Sequence, residues 1–324
     1  MIVKPKVYIA RRVSKEVQEY ISNFCDLEMN EGDEILSREG IIKNYNYIDG
    51  LITIGTKIDE EFLDSMPNLK VVSNISVGYD NFVIKDMKKK KIVGTNTPDI
   101  LNDTVADLTF GLILSLARRI PELDRITKAG MWEKVYPEEY VGTEVHHKTL
   151  GIIGMGRIGE AVAKRAKLGF DMDVLYYNRH RKEEIENKLG VKYSSKDKLI
   201  KNSDFIVILT PLTEETYHFI DAREFNLMKK SAIIINVSRG QTINELALID
   251  ALKTGKIAGA GLDVFEKEPT DKNNPLLRMD NVVTLPHIGS GTWKTRNDMS
   301  MMAAENMVSA LQGNIPKNLV EELA

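Results

Sequence analysis

The stretch Leu150-Gly151-Ile152-Ile153-Gly154-Met155-Gly156-Arg157-Ile158-Gly159 decides the fold class. It reads as a short apolar strand, a tight turn, and the start of a helix continued by Ala161, Ala163 and Ala166. Each glycine has its own physical reason. Gly154 permits the turn, Gly156 lets backbone come close to a pyrophosphate, and Gly159 lets the helix pack on the strand. The helix start, with the amides of Arg157 and Ile158, offers unpaired N–H groups and positive potential to phosphates. The letters alone are a weak signal. Between a strand and a helix they point to a bound dinucleotide.

Outward from this loop, short apolar runs alternate with helical patterns, which is the signature of βαβ units and parallel sheets. Strands are expected at 149–154, 173–177, 205–210, 232–237, 259–264 and 282–285, the six of a dinucleotide-binding series. Upstream, 7–10, 50–54 and 70–75 read as strands, and 14–24, 59–66 and 81–90 as helices. Ser14 and Asp59 are the expected N-caps. From 105 to 117, Val105, Leu108, Thr109, Leu112, Ile113 and Leu116 recur at helical spacing, and Phe110 and Leu114 add bulk on other sides. Such a helix, apolar around most of its circumference, is expected to be buried, often between domains. Pro121 is expected to kink or restart it. The stretch 130–148, with Trp132, Tyr136, Pro137 and Tyr140, reads as an irregular crossing or a subunit contact. The stretch 292–313 is helical without a strand of its own and is assigned back to the first domain. The expected architecture is α/β, with two Rossmann-like doubly wound parallel-sheet domains and a cleft between them. Residues 101–289 form the dinucleotide domain, and 1–100 plus 290–324 a discontinuous substrate domain.

Composition narrows the function classes. The formal charge is −3 over 324 residues, so no global basic field draws the chain to nucleic acid or an anionic membrane. The run Lys88–Lys91 is expected to be a solvated helix end. Cys25 is the single cysteine, so no intrachain disulfide is expected. No secretory leader and no membrane-spanning apolar run are expected, and cytoplasm is the default.

The strand after the glycine loop ends in Asn178-Arg179-His180-Arg181. Sites for NAD usually carry an acid here to bind the ribose hydroxyls. A carboxylate would repel a 2′-phosphate, whereas Asn178 with Arg179 and Arg181 would accept one. The expectation is NADPH in preference to NADH. No metal is expected.

Three later strand ends carry further chemistry: Val237-Ser238-Arg239-Gly240, Asp263-Val264-Phe265-Glu266-Lys267-Glu268, and Pro286-His287-Ile288-Gly289. In open α/β sheets ligands sit beyond the carboxyl ends of strands. Hydride addition to a ketone builds negative charge on oxygen, so an acid has to donate a proton, and His287 suits that task. A carboxylate beside it would hold the ring and favour the imidazolium. Glu268 is the candidate, and Glu266 competes with it on local grounds. Arg239 fits the substrate carboxylate and the polarised carbonyl.

These motifs resemble those of D-2-hydroxyacid dehydrogenases over essentially the whole chain. The resemblance is carried by 74–80 (Asn74 to Asp80), 103–107, the glycine loop, 236–240, 261–265 with Glu268-Pro269, and 286–290. It implies Arg239, Glu268 and His287 as the catalytic set, selecting Glu268 over Glu266. It implies that the Val77 and Gly78 amides hold the substrate carboxylate. It also places Thr104, Thr210, Pro211, Val237, Ser238, Asp263, His287 and Gly289 against the cofactor. Within the family the chain is most similar to glyoxylate/hydroxypyruvate and 2-ketogluconate reductases, which implies a small 2-keto acid substrate and a homodimer. Added C-terminal regulatory domains occur in phosphoglycerate dehydrogenases, and none is expected here. The rival readings are an NAD-dependent D-lactate or phosphoglycerate-type dehydrogenase, and a dinucleotide-sensing module like the family's corepressors.

Overall fold

The computed structural model describes residues 3–32, 36–135 and 137–324. Tyr136 of the crossing segment lies outside them. The chain divides into two compact units, Met1–Leu101 with Gly291–Ala324, and Asn102–Ser290.

The first unit begins with β1 (Lys6–Ile9), α1 (Lys15–Ser22), β2 (Asp26–Met29), α2 (Arg38–Tyr45) and β3 (Gly50–Thr53). It continues with α3 (Glu60–Asp64), β4 (Val71–Asn74), α4 (Ile84–Lys90) and β5 (Val93–Thr95). Its parallel sheet has the order β2-β1-β3-β4-β5, a doubly wound arrangement that reverses between β1 and β3. Ser14 and Asp59 cap α1 and α3 through the amides of Val17 and Phe62. The lysine run closes α4, where Lys89 and Lys90 pair with Glu60 and Asp64. The sequence pattern misses β2, α2 and β5 for physical reasons. β2 is an edge strand with no fully buried position. α2 buries only Ile41, and β5 is three residues long.

The second unit runs α5 (Asn102–Ala117), α6 (Ile120–Lys128), β6 (Thr149–Ile153), α7 (Arg157–Phe170), β7 (Asp173–Tyr177), α8 (Glu183–Leu189), β8 (Lys192–Tyr193) and α9 (Lys196–Asn202). It goes on through β9 (Phe205–Ile208), α10 (Ala222–Leu227), β10 (Ile233–Asn236), α11 (Glu245–Lys253), β11 (Gly259–Leu262) and β12 (Val282–Thr284). The strand order is β12-β11-β10-β9-β6-β7-β8, all parallel. This is one strand more than the sequence pattern gives. The extra strand, β8, is two exposed residues with no apolar run. Every residue of β9 and β10 is buried, as in a sheet covered by helices on both faces. Ile152, Val207 and Ile235 pack with α5 and α7, while Ile153, Ile206, Ile208 and Ile234 pack with α9, α10 and α11. The long helix restarts and does not kink. Arg119 takes a left-handed conformation, and Pro121 falls in the first turn of α6, where a missing N–H costs nothing.

The last helix, α12 (Trp293–Leu311), is capped by Thr292 and packs on β3, β4, β5 and α1 of the first unit. Among the described residues no helix is long and apolar enough to cross a membrane.

Candidate active site

Because the strands of the second unit are all parallel, the loops after them emerge along one edge. That edge carries the glycine loop after β6, Asn178–Arg181 after β7, Thr210 and Pro211 after β9, 237–240 after β10, 263–268 after β11 and 285–289 after β12.

The glycine loop fits a dinucleotide. Gly154 sits at φ +104°, and a Cβ there would lie 2.7 Å from the Leu209 carbonyl carbon. A Cβ on Gly159 would lie 2.5 Å from the Gly154 oxygen. A Cβ on Gly156 would meet nothing within 4 Å, so this glycine faces open space at the N-terminus of α7. Gly156 is the N-cap and supplies no side-chain cap, which leaves the first turn of α7 to an anion. Next to it, Thr210 Oγ1 is buried and has no hydrogen-bond partner among the described residues. A buried hydroxyl is rarely left so, and a polar ligand at this edge would satisfy it.

Asn178 braces the loop. Its Oδ1 accepts from the Met155 amide at 2.8 Å, and its Nδ2 donates to the Met155 carbonyl at 3.3 Å. The two arginines differ. Arg181 makes a two-bond pair with Glu186 at 2.8 and 2.7 Å, which, with the Tyr176 hydroxyl, holds that carboxyl down at about 2. Arg179 is exposed and meets Glu215 at 3.3 Å. Arg157 is exposed on the first turn of α7, Ile158 is half-buried beside it, and Thr104 stands in the first turn of α5. Pro211 accepts from the Thr216 hydroxyl at 2.6 Å.

The rim that carries Arg239, Glu268 and His287 is held by buried polar groups. Asn236, at the end of β10, donates through Nδ2 to the Arg239 carbonyl at 2.9 Å and accepts through Oδ1 from the Ser238 amide and hydroxyl. This pins the turn from Val237 to Arg239. Gly240 then lies so close to the next loop that a Cβ would fall 1.8 Å from the Phe265 carbonyl carbon. Only glycine allows that approach, which draws the loop of Arg239 against the loop of Glu268.

Glu268 and His287 meet as expected, with His287 Nδ1 2.7 Å from Glu268 Oε2. The other oxygen of Glu268 accepts from the Phe265 amide at 3.0 Å. Burial alone would raise the Glu268 carboxyl. The His287 hydrogen bond, the Phe265 amide and the charges of His287 and Arg239 outweigh it and hold the group below its usual range. His287 has φ +53° and donates its amide to the Asp263 carbonyl at 2.9 Å. Asp263 is fully buried, and its two oxygens accept from the amides of Ile288 and Gly289, each at 2.7 Å. Burial raises this carboxyl, and the two amides offset part of the rise. Asp263 therefore clamps the turn that presents His287.

Glu266, the local rival, is engaged elsewhere. It pairs with His218 at 2.6 Å and accepts from the Glu245 amide at 3.1 Å. The sequence pattern gave no signal for His218, a lone histidine in a polar loop.

In the first unit, Val77 and Gly78 follow β4. The Val77 carbonyl accepts from Asn96 Nδ2 at 2.8 Å, and the Gly78 carbonyl accepts from Ser76 Oγ at 2.6 Å. These bonds fix the turn from its carbonyl side. Among the described residues the two amides donate to nothing.

Comparison with known proteins adds a lineage to this geometry. The family model for "D-isomer specific 2-hydroxyacid dehydrogenase, NAD binding domain" matches residues 110–289. The chain is 44% identical over 323 residues to the glyoxylate reductase of Pyrococcus horikoshii, covering 98% of this chain and 96% of that protein. It is 47% identical over 272 residues to the glyoxylate/hydroxypyruvate reductase B of Escherichia fergusonii, covering 84% of each. Among solved structures, the NADPH-dependent glyoxylate/hydroxypyruvate reductase of Sinorhizobium meliloti, in complex with NADP and malonate, superposes with a TM-score of 0.87. Identity there is 30%, with 99% of this chain and 98% of that chain covered.

Proposed function

The chain belongs to the D-isomer specific 2-hydroxyacid dehydrogenase family, and from that premise we propose that it uses NADPH to reduce a small 2-keto acid to the D-2-hydroxy acid. Glyoxylate, hydroxypyruvate and 2-ketogluconate are the candidate substrates. The observation that carries the proposal is the 2.7 Å His287–Glu268 pair on the same strand edge as the glycine loop and Arg239.

The bound dinucleotide supplies the hydride, and the rest falls to the protein's own groups. The Val77 and Gly78 amides hold the substrate carboxylate. Arg239 binds the substrate and polarises the ketone, stabilising charge as it develops on oxygen. Glu268 stays ionised and occupies Nδ1 of His287, which leaves Nε2 to give its proton to the nascent alkoxide. Gly154, Gly156 and Gly159, with the amides of Arg157 and Ile158, cradle the pyrophosphate. Thr104, Thr210, Pro211, Val237, Ser238 and Gly289 line the remainder of the cofactor, and Asp263 acts by holding the Gly289 turn. Asn178 and Arg179 favour a 2′-phosphate. NADH is the second reading, favoured by the engagement of Arg181 with Glu186.

The proposal includes a homodimer. Ile120 of α6 and Met131, Trp132, Val135 and Val141 after it are exposed apolar side chains close together in the chain, a surface that a subunit contact would cover.

A spectrophotometric screen tests the proposal, pairing NADPH and NADH with glyoxylate, hydroxypyruvate, 2-ketogluconate and pyruvate. Turnover is expected with NADPH and at least one of the first three. Oxidation in no pairing would favour a dinucleotide-sensing module.

A further inference from the structure

Two arginines of the unit formed by 1–101 and 291–324 stand near each other where α1 packs on α12, and among the described residues neither has a counter-ion. Arg11 leaves the carboxyl end of β1, and Arg296 lies in the first turn of α12. α1 packs on α12, and Asn297 Nδ2 donates to Glu16 Oε2 at 3.4 Å, which sets the first turns of the two helices side by side. Both arginines are half-buried, and among the described residues neither makes an ion pair or a side-chain hydrogen bond. Burial, and then the charge of Arg296, lowers the Arg11 guanidinium below its ordinary value. Of the charged groups adjoining them in the chain, Arg12 donates to the Glu31 carbonyl and Lys294 pairs with Asp298; Glu16, on α1, accepts from Asn297.

A half-buried guanidinium is ordinarily paired with an acid. Two such groups near each other, with neither partner nor full hydration, are unfavourable, and a bound anion reverses that sign. The starts of α1 and α12 add positive potential at the same place. We propose that Arg11 and Arg296 form a subsite for the distal carboxylate or phosphate of a dianionic 2-keto acid. This rests on the keto-acid reading above.

The sheet order makes the span reasonable. β1 and β4 are separated only by β3, so their carboxyl ends lie roughly 10 Å apart at the usual strand spacing. Val77 and Gly78 follow β4, and an arginine side chain reaching from β1 covers much of that gap. A keto acid held at its first carboxylate by those amides presents a far-end anion to two guanidinium forks, whose donors match carboxylate or phosphate. Glyoxylate is too short to reach them.

The experiment compares wild type with Arg11→Gln and Arg296→Gln. First, kcat/KM is measured for glyoxylate, oxaloacetate, 2-ketoglutarate and 3-phosphohydroxypyruvate. Wild type is expected to favour at least one dianion over glyoxylate by about tenfold, and each variant to lower that ratio by about tenfold. The dicarboxylate and phosphate arms distinguish the two anions. Second, melting temperature is followed with added malonate or inorganic phosphate. The wild-type rise is expected to vanish in the variants, and ligand-free Arg11→Gln to melt no lower than wild type, because a repulsion has been removed. An unchanged substrate ratio together with an undiminished anion-induced rise would overturn the subsite. If no keto acid is reduced but the rise still depends on both arginines, the anion site stands and the keto-acid reading fails.

Discussion

His287 stands at the meeting of two constraints, and each comes from a different carboxylate. Asp263 fixes the backbone of the turn through the amides of Ile288 and Gly289, and Glu268 fixes the ring through Nδ1. Replacing His287 by Gln should leave folding intact, since the ring is exposed enough to accept an isosteric amide. Turnover should fall by about 10²–10⁴, the usual contribution of a positioned acid. Near-normal kcat in a protein with an unchanged melting curve would remove His287 from the proton-donor role. The two arginines after β7 are separable in the same way. Arg181 is bound to Glu186 by two bonds, whereas Arg179 meets Glu215 only at 3.3 Å on the surface. Arg179→Ala should therefore raise KM for NADPH about tenfold more than KM for NADH. Arg181→Ala should show less of that difference and instead lose stability at the start of α8. Equal effects of Arg179→Ala on the two cofactors would remove the phosphate contact.

At the scale of elements, the strand–turn–helix at β6 and α7 makes a sharper prediction than any single contact, because its glycines fail differently. At Gly159 a methyl would press on the Gly154 carbonyl oxygen, so Gly159→Ala should destabilise the unit by about 1–3 kcal/mol. At Gly156 the methyl would enter open space, so Gly156→Ala should fold with an unchanged melting temperature and bind cofactor poorly. Chemical denaturation and fluorescence titration with NADPH read the two effects separately. The reverse pattern would mean that the loop is a packing turn and not a phosphate cradle.

Across the whole molecule, the exposed apolar stretch after α6 and the division into two units bear on assembly and on how function was legible. Trp132→Asp with Val135→Asp should leave each unit folded and convert a dimer to monomers by light scattering. A wild-type monomer would dismiss the homodimer. The glycine loop and the strands from β6 to β12 except β8 were readable from sequence, because buried parallel strands are continuous apolar runs, and the candidate site residues were named from the motifs at their ends. β2, β5 and β8 were not, since edge strands and three-residue strands leave no run to read. Sequence alone thus determined a doubly wound α/β chain with a dinucleotide loop and a set of candidate site residues. Only the tertiary structure decided that Glu266 is engaged with His218, that Asp263 holds the backbone of the His287 turn, and that Arg181 is already paired with Glu186. Those outcomes depend on which loops a parallel sheet delivers to one edge, and on distances between residues far apart in the chain, which local pattern does not encode.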